Sequence, residues 1–266
     1  FTDFIIHSEC VLSNRIIYLY KIMELPYISI CTPTYNRNNF IPLMLSNLAK
    51  MDYPKHKLEW IIDDDGTDKF IKSPEDLKQV KKVIAPIQLK YFWYPKKRTI
   101  GVKRNNMVKK ATHKIIACMD TDDMYMSTYL KRSLDKMREE GASLVGSNQM
   151  IFIYPHNNFK ITAIACESKR QIHEASMLFT KKHFNAMGGF AKNSQGEGAS
   201  MVDGMGGNRV ALTQITDCLI CIAHKGNTVD KEQFIDTEDI TEQVDLSPID
   251  IEMIKDILCD EEYIKV

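Results

Sequence analysis

The sequence has no excess of charge of either sign, since its 266 residues carry 35 Lys+Arg and 35 Asp+Glu. A balanced chain lacks the field with which general nucleic-acid binders gather a polyanion, so that class is set aside. Long apolar runs are missing too. None approaches the roughly 18 residues of a membrane-spanning helix, and Ile16–Ile30 is broken by Lys21, Glu24 and Pro26, which also spoils it as a signal peptide. A disulfide framework is poorly served by seven cysteines, an odd number scattered at 10, 31, 118, 166, 218, 221 and 259. Most sit inside apolar runs such as Ile116-Ala117-Cys118-Met119, the setting of reduced core thiols in a cytoplasmic protein, at most peripheral to a membrane. Cys218 and Cys221 form a CxxC with no second pair and no nearby His–Cys cluster, so Cys218–Ala223 reads as a buried strand rather than a zinc site. Internal repeats and low-complexity tracts are absent. What remains, at 44% hydrophobic and 26% charged, is a globular chain able to bury a sizeable core.

The even charge balance hides an asymmetry. Residues 229–266 hold 13 Asp/Glu against 3 Lys/Arg, which leaves 32 basic and 22 acidic groups on residues 1–228. A body of that sign suits a small anionic substrate. Residues 1–22 fit the rest poorly and are read as an upstream extension, with Met23 as the natural start. Residues 23–228 read as one folded domain, and 229–266 as an acidic tail carrying one helix that starts at Ser247-Pro248.

From Tyr27 onward, apolar stretches alternate with helical patterns. Strands are expected at Tyr27–Thr32, Leu58–Ile62, Ile87–Trp93 and His113–Met119, and helices at Phe40–Met51, Pro74–Val83, Gly101–Ala111 and Ser127–Glu140. This rhythm argues a doubly wound, mostly parallel sheet flanked by helices, the α/β class. The second half is less regular, with strands in Ser143–Tyr154 and Ala175–Thr180 and a short helix over Lys181–Met187. Seven glycines between 188 and 207 then predict a flexible loop region.

In doubly wound folds ligands bind beyond the carboxyl ends of the strands, and the polar clusters fall there. Pro33-Thr34-Tyr35-Asn36-Arg37 follows the first strand, Asp63-Asp64-Asp65 the second and Asp120-Thr121-Asp122-Asp123 the fourth. Crowded carboxylates repel one another unless a cation neutralises them, and a hard divalent ion with oxygen ligands would do so. The alternative is a solvated turn in which Asp122 or Asp123 caps a helix. Gly101-Val102-Lys103-Arg104 opens a helix whose free backbone N–H groups and two cations suit a diphosphate. His224-Lys225-Gly226-Asn227-Thr228 leaves a buried strand, a good setting for a ligating histidine.

In order along residues 27–228, these segments resemble the family 2 glycosyltransferases of the GT-A fold. The resemblance is completed by Asp64-Asp65-Gly66-Thr67-Asp68, Met187-Gly188-Gly189-Phe190 and Gly196-Glu197. It implies a Rossmann-like nucleotide-binding half, an irregular acceptor half and a hexosyltransferase-type activity. Pro33, Thr34, Tyr35 and Arg37 would border a nucleoside diphosphate sugar, Asp64 would accept from the base, and Arg104 would lie against the base or diphosphate. Asp120 and Asp122 would form the DxD pair for ribose and metal, with Asp123 and His224 as further contacts to Mn²⁺ or Mg²⁺. The transfer would invert the anomeric centre and end on a glycan, protein or small-molecule hydroxyl.

Uridine is the expected base, because a carboxylate at Asp64 would accept from uracil N3–H and meet an acceptor nitrogen on cytosine. Where the family shows Glu-Asp after Gly-Gly-Phe, with a carboxylate there as general base, this chain reads Gly196-Glu197-Gly198. Glu197 is the expected base, in a mobile loop, and Asp203 the reserve. Two other classes compete. A nucleotidyltransferase would show a glycine-rich loop after the first strand, and Pro33–Arg37 has no glycine; a non-catalytic nucleotide-sugar binder would lack the base.

Overall fold

The computed structural model describes residues 25–168, 171–202 and 210–258. The extension at 1–22, Met23 and Asp203 lie outside the described residues. Twelve strands are present among them: β1 (Ile28–Thr34), β2 (Leu58–Asp64), β3 (Gln88–Trp93), β4 (Ile115–Cys118), β5 (Asp123–Tyr125), β6 (Leu144–Gly146), β7 (Gln149–Tyr154), β8 (Lys160–Ala165), β9 (Leu178–Thr180), β10 (Val210–Leu212), β11 (Leu219–Ile222) and β12 (Glu238–Asp239). The helices are α1 (Ile41–Lys50), α2 (Pro74–Ile84), α3 (Ile100–Lys110), α4 (Tyr129–Glu139), α5 (Lys181–Met187) and α6 (Pro248–Ile257).

The larger sheet runs β10-β6-β9-β4-β1-β2-β3. Its strands are parallel except β9, which opposes both β4 and β6. Alternation along the strands fills a core on each face. Ile28 and Ile30 of β1 and Trp60 and Ile62 of β2 point to one side, against Leu43, Met44 and Leu48 of α1 and Leu130 and Leu134 of α4. Cys31 and Ile61 point to the other, against Met107 and Val108 of α3 and Phe184 of α5. This is the expected doubly wound α/β arrangement. The helix starts also follow from sequence. Ser73 and Asp76 form a capping box ahead of α2, and Ser247 caps α6 through the Asp250 amide.

Two expectations need correction. The irregular second half contains a sheet of its own, ordered β12-β8-β7-β11-β5, in which only β7 and β11 run parallel. The folded core also continues past Thr228. Ile240, Ile254, Ile257 and Leu258 are buried in it, and the Asn39 side chain donates to Ile257 O at 3.3 Å. An acidic segment can pack this way because its apolar residues recur at helical spacing while its acids face water. Among the described residues no helix is long and apolar enough to cross a membrane.

Candidate functional site

The two sheets meet where β4 ends and β5 begins, and the acidic cluster lies in that junction. Asp123 is the first residue of β5, opposite Cys221 of β11, so the chain leaving β11 delivers His224 to the same place. The loop after β1 joins them: Thr121 Oγ1 donates to Pro33 O at 3.0 Å, and Arg37 donates to Gly226 O and, at 3.3 Å, to Asp122 Oδ2. Three expected loops therefore surround one cleft of about 780 Å³. Pro33, Thr34, Tyr35, Arg37, Arg104, Asp120, Asp122, Asp123 and Glu197 all line it.

Asp122 and His224 form the centre of the junction. His224 Nε2 lies 3.0 Å from both Asp122 Oδ2 and Asn227 Nδ2, and Nδ1 accepts the Gly226 N–H at 3.1 Å. The ring packs on Phe40 with centroids 4.9 Å apart. Burial alone would raise the Asp122 pKa, but the hydrogen bond and charge of His224, with Arg37, hold it well below the usual carboxylate range. Its neighbours respond in the opposite sense. Burial raises Asp120 against the pull of Arg104, and burial together with Asp122 and Asp120 raises Asp123 strongly.

No group of three or more His, Cys, Asp or Glu converges to hold a metal among the described residues. The donor chemistry nonetheless fits a hard cation. Asp120 Oδ1 is buried without a partner, Asp122 and His224 offer oxygen and nitrogen beside it, and two carboxylates of the cluster are pushed toward protonation. Asp123 is the least suited of the expected ligands. It is buried at the start of a paired strand, with its backbone carbonyl held by Asn47 at 2.9 Å.

Arg104 is 2% exposed and bridges two carboxylates, with Nη2 on Asp120 Oδ2 at 2.9 Å and Nε on Glu197 Oε1 at 3.0 Å. Its Nη1 has no partner among the described residues. The mobile loop expected around Glu197 is instead packed: Glu197 is buried, its carbonyl accepts from Ala191 N at 3.0 Å, and Ser200 Oγ donates to the same oxygen at 3.1 Å. A buried guanidinium must be paired, and that demand commits the Glu197 carboxylate.

The same loop changes the reading of α3. Its Ile100 and Gly101 amides, expected to be free for a diphosphate, donate to Ser194 Oγ at 3.2 Å and Asn193 O at 2.9 Å. Gly101 is required there, since a Cβ would sit 1.8 Å from Ala191 O.

Asp64 is placed differently from its expected role. Its Oδ1 accepts from Gly66 N at 2.8 Å, and its Oδ2 accepts from Phe70 N at 2.8 Å and Tyr91 OH at 2.6 Å. It is 1% exposed and does not line the cleft, so it organises its own loop and offers no free oxygen to a base. The neighbouring acids are also occupied: Asp63 binds Arg98 and Asn106, and Asp65 binds Lys103 and accepts from Arg98 N at 2.5 Å.

Three groups bordering the cleft were not singled out from sequence. Lys97 lies 4.0 Å from the Tyr35 ring centroid and places a cation at the wall of the cleft. The run Lys96-Lys97-Arg98 before α3 was the available signal. His173 and Glu174 line the cleft from the turn before β9, where nothing in the local sequence marks them as a site.

Comparison with known proteins identifies the fold as GT-A. A family profile, Glycosyl transferase family 2, matches residues 29–218. Glycosyltransferase AglE of Haloferax volcanii is 25% identical over 134 residues, covering 50% of this chain and 42% of that protein. The putative teichuronic acid biosynthesis glycosyltransferase TuaG of Bacillus subtilis is 25% identical over 118 residues, 44% of each chain. The chain thus spans less than half the length of these relatives.

Among solved structures, the mannosyltransferase PcManGT of Pyrobaculum calidifontis, in complex with GDP-Man and Mn²⁺, superposes with a TM-score of 0.58 at 17% identity, covering 80% of this chain and 59% of that one. S. aureus TarS 1–349 in complex with UDP-GlcNAc gives 0.57 at 18% identity, covering 87% and 65%. With the profile matched across most of its length, the chain belongs to glycosyl transferase family 2.

Proposed function

We propose that this protein transfers a glycosyl group from a nucleoside diphosphate sugar to an acceptor hydroxyl, with a divalent cation and with inversion at the anomeric carbon. The observation that carries the reading is the partnerless Asp120 Oδ1, buried beside the Asp122–His224 pair in a cleft large enough for a nucleotide sugar. Asp120, Asp122 and His224 would hold the ion. When bound, it would supply charge to stabilise the departing diphosphate. Pro33, Thr34 and Tyr35 border the nucleoside, and Tyr35 offers a ring face already flanked by Lys97 and, at 5.7 Å, Lys103. Arg37 orients Asp122, and Arg104 fixes Asp120.

Uridine and guanine donors remain the two choices. Both bases present an N–H where cytosine has an acceptor nitrogen, and the solved relatives carry UDP-GlcNAc and GDP-Man. With Asp64 closed, the discriminating acceptor must be another group of the cleft. Competition calorimetry with UDP, GDP and CDP decides: CDP binding as tightly as the other two refutes the base preference.

A second reading, a nucleotide-sugar binder without transfer, is favoured by the commitment of Glu197 to Arg104. A screen of nucleotide sugars for donor hydrolysis, with Mn²⁺, Mg²⁺ or EDTA, separates the two. Metal-dependent turnover supports transfer, and full activity in EDTA refutes the cation. Asp122→Asn should abolish that turnover while circular dichroism shows the fold retained.

A further inference from the structure

The glycosyl-transfer reading needs a carboxylate to take the acceptor proton, and Glu197 is held by a buried guanidinium. Glu174 is a different case. It borders the same cleft as Asp120, Asp122 and Arg104, and among the described residues no Lys or Arg forms an ion pair with it. Its position is fixed by the loop it faces, because Oε1 accepts the Gly198 N–H at 3.1 Å.

Gly198 shows why this carboxylate matters. A Cβ at Gly198 would lie 2.5 Å from Glu174 Cγ, 2.7 Å from Met177 Cε and 3.0 Å from Glu174 Oε1. The volume into which a side chain at position 198 would project is therefore occupied by the side chain of Glu174. The chain lacks an acid directly after Glu197 and places one at that spot from 24 residues earlier. The packing is reciprocal: a glycine at 198 is what allows Glu174 to enter, and the Gly198 amide is what holds it.

We infer that Glu174 is the catalytic residue that accepts the proton of the acceptor hydroxyl. The inference rests on the glycosyl-transfer reading. In the step it serves, the hydroxyl oxygen forms a bond to the anomeric carbon while its proton passes to the Glu174 carboxylate. The bond from the anomeric carbon to the diphosphate oxygen breaks, and its electron pair leaves with the nucleoside diphosphate. The environment favours a base of this kind. Burial first, then the charge of Glu197, raise the Glu174 pKa above the ordinary glutamate value, with Arg104 and the Gly198 amide opposing. Arg104 thus has two effects: it neutralises Glu197, and it keeps that carboxylate from closing on the acceptor side.

The test uses the full chain with Mn²⁺ or Mg²⁺, a screen of nucleotide sugars that includes UDP-GlcNAc and GDP-mannose as donors, and water as acceptor, reading release of the nucleoside diphosphate, alongside UDP and GDP affinity by calorimetry. Glu174→Gln keeps an oxygen for the Gly198 amide, so a role limited to anchoring the loop predicts near-normal turnover. Loss of the base predicts a fall in kcat of roughly 10²–10⁴-fold with nucleotide affinity within about twofold of wild type. The acid limb of the wild-type kcat/KM profile should lie above the ordinary glutamate range and vanish in the variant. A Glu174→Gln enzyme that keeps more than about a tenth of wild-type kcat overturns the assignment, as does a parallel loss of nucleotide binding.

If that variant does not fold, Glu174→Asp, which retains the carboxylate, takes its place. It should shift the acid limb and lower kcat, and an unmoved limb overturns the assignment. A folded wild type that releases no nucleoside diphosphate from any nucleotide sugar of the donor screen, with Mn²⁺ or Mg²⁺ present, overturns the glycosyl-transfer reading itself, a result distinct from an active wild type with an unimpaired variant.

Discussion

Glu59 provides the sharpest check on how the fold itself is held, far from the cleft. It lies in β2, is fully buried, and its carboxylate accepts from Ser29 Oγ at 2.6 Å, Thr112 N at 2.9 Å and Thr112 Oγ1 at 2.7 Å, with Lys90 Nζ at 2.6 Å. Ser29 belongs to β1, Lys90 to β3, and Thr112 to the turn from α3 into β4, so one side chain ties four neighbouring segments. Burial would raise its pKa, but these four hydrogen bonds lower it from 4.5 to about 2. A gap of that size corresponds to about 3 kcal/mol of folding free energy at neutral pH.

The sign follows from the depressed value. The contribution is complete above the unfolded pKa and is lost as pH falls from about 4.5 toward 2. Glu59→Gln should therefore lower urea stability by about 3 kcal/mol at pH 7, while the difference between variant and wild type shrinks to about 1 kcal/mol at pH 3. UDP binding should be unchanged, because Glu59 does not line the cleft. A pH-independent difference, or one below about 1 kcal/mol at pH 7, would refute the reasoning.

Two further substitutions test the packing behind the cleft. Arg104→Met leaves Asp120 and Glu197 buried without their shared cation, and should cost about 3–5 kcal/mol by chemical denaturation; a loss below about 1 kcal/mol would show that the triad is not the anchor argued here. Gly101→Ala drives a methyl group to 1.8 Å from Ala191 O and should cost about 1–3 kcal/mol by forcing the 190–202 loop off α3. An unchanged melting temperature would exclude that contact.

The strands β1, β2, β3 and β4 and the helices between them were legible because each strand is a short apolar run closed by turn residues, and each intervening helix carries its own period. The loops that build the cleft were legible for the same reason, since position at a strand's carboxyl end is a consequence of topology. The smaller sheet was not. Its strands pair mostly antiparallel across long sequence separations, as β12 does with β8, and a two-residue strand of Glu238 and Asp239 carries no apolar signature at all. Side-chain partners were the least legible. Asp64 has the residue type and loop position of a base-reading acid, yet its oxygens are taken by Gly66, Phe70 and Tyr91, and only the folded loop reveals that Tyr91 is within reach. The glycine-rich segment after Gly188 misled in a related way. Glycine density signals freedom in an isolated chain, but at Gly189 and Gly198 a Cβ would come within 2.5 Å of Asn105 Oδ1 and Glu174 Cγ, so there it signals close packing.

The charges of the cleft are divided by a single rule. The buried cations Arg104 and Lys103 and the half-buried Arg98 are matched to acids before any substrate arrives: Arg104 to Asp120 and Glu197, Lys103 to Asp65, Arg98 to Asp63 and Asp65. Matching removes those acids from the reaction, because a carboxylate shared with a guanidinium is a weak acceptor for a new proton. It also removes those cations as free anchors for a diphosphate, which contradicts the simple picture of a basic helix start binding phosphate. What is left unmatched is informative. Among the described residues Asp120 keeps a partnerless oxygen and Arg104, like Arg98, a partnerless nitrogen, while Glu174 lines the cleft without an ion pair to a Lys or Arg. A divalent ion at the first location would complete the neutralisation of the donor side, and a proton moving to the second would neutralise the acceptor side as the bond forms. The buried cations of the cleft therefore serve to fix where its uncommitted carboxylates stand.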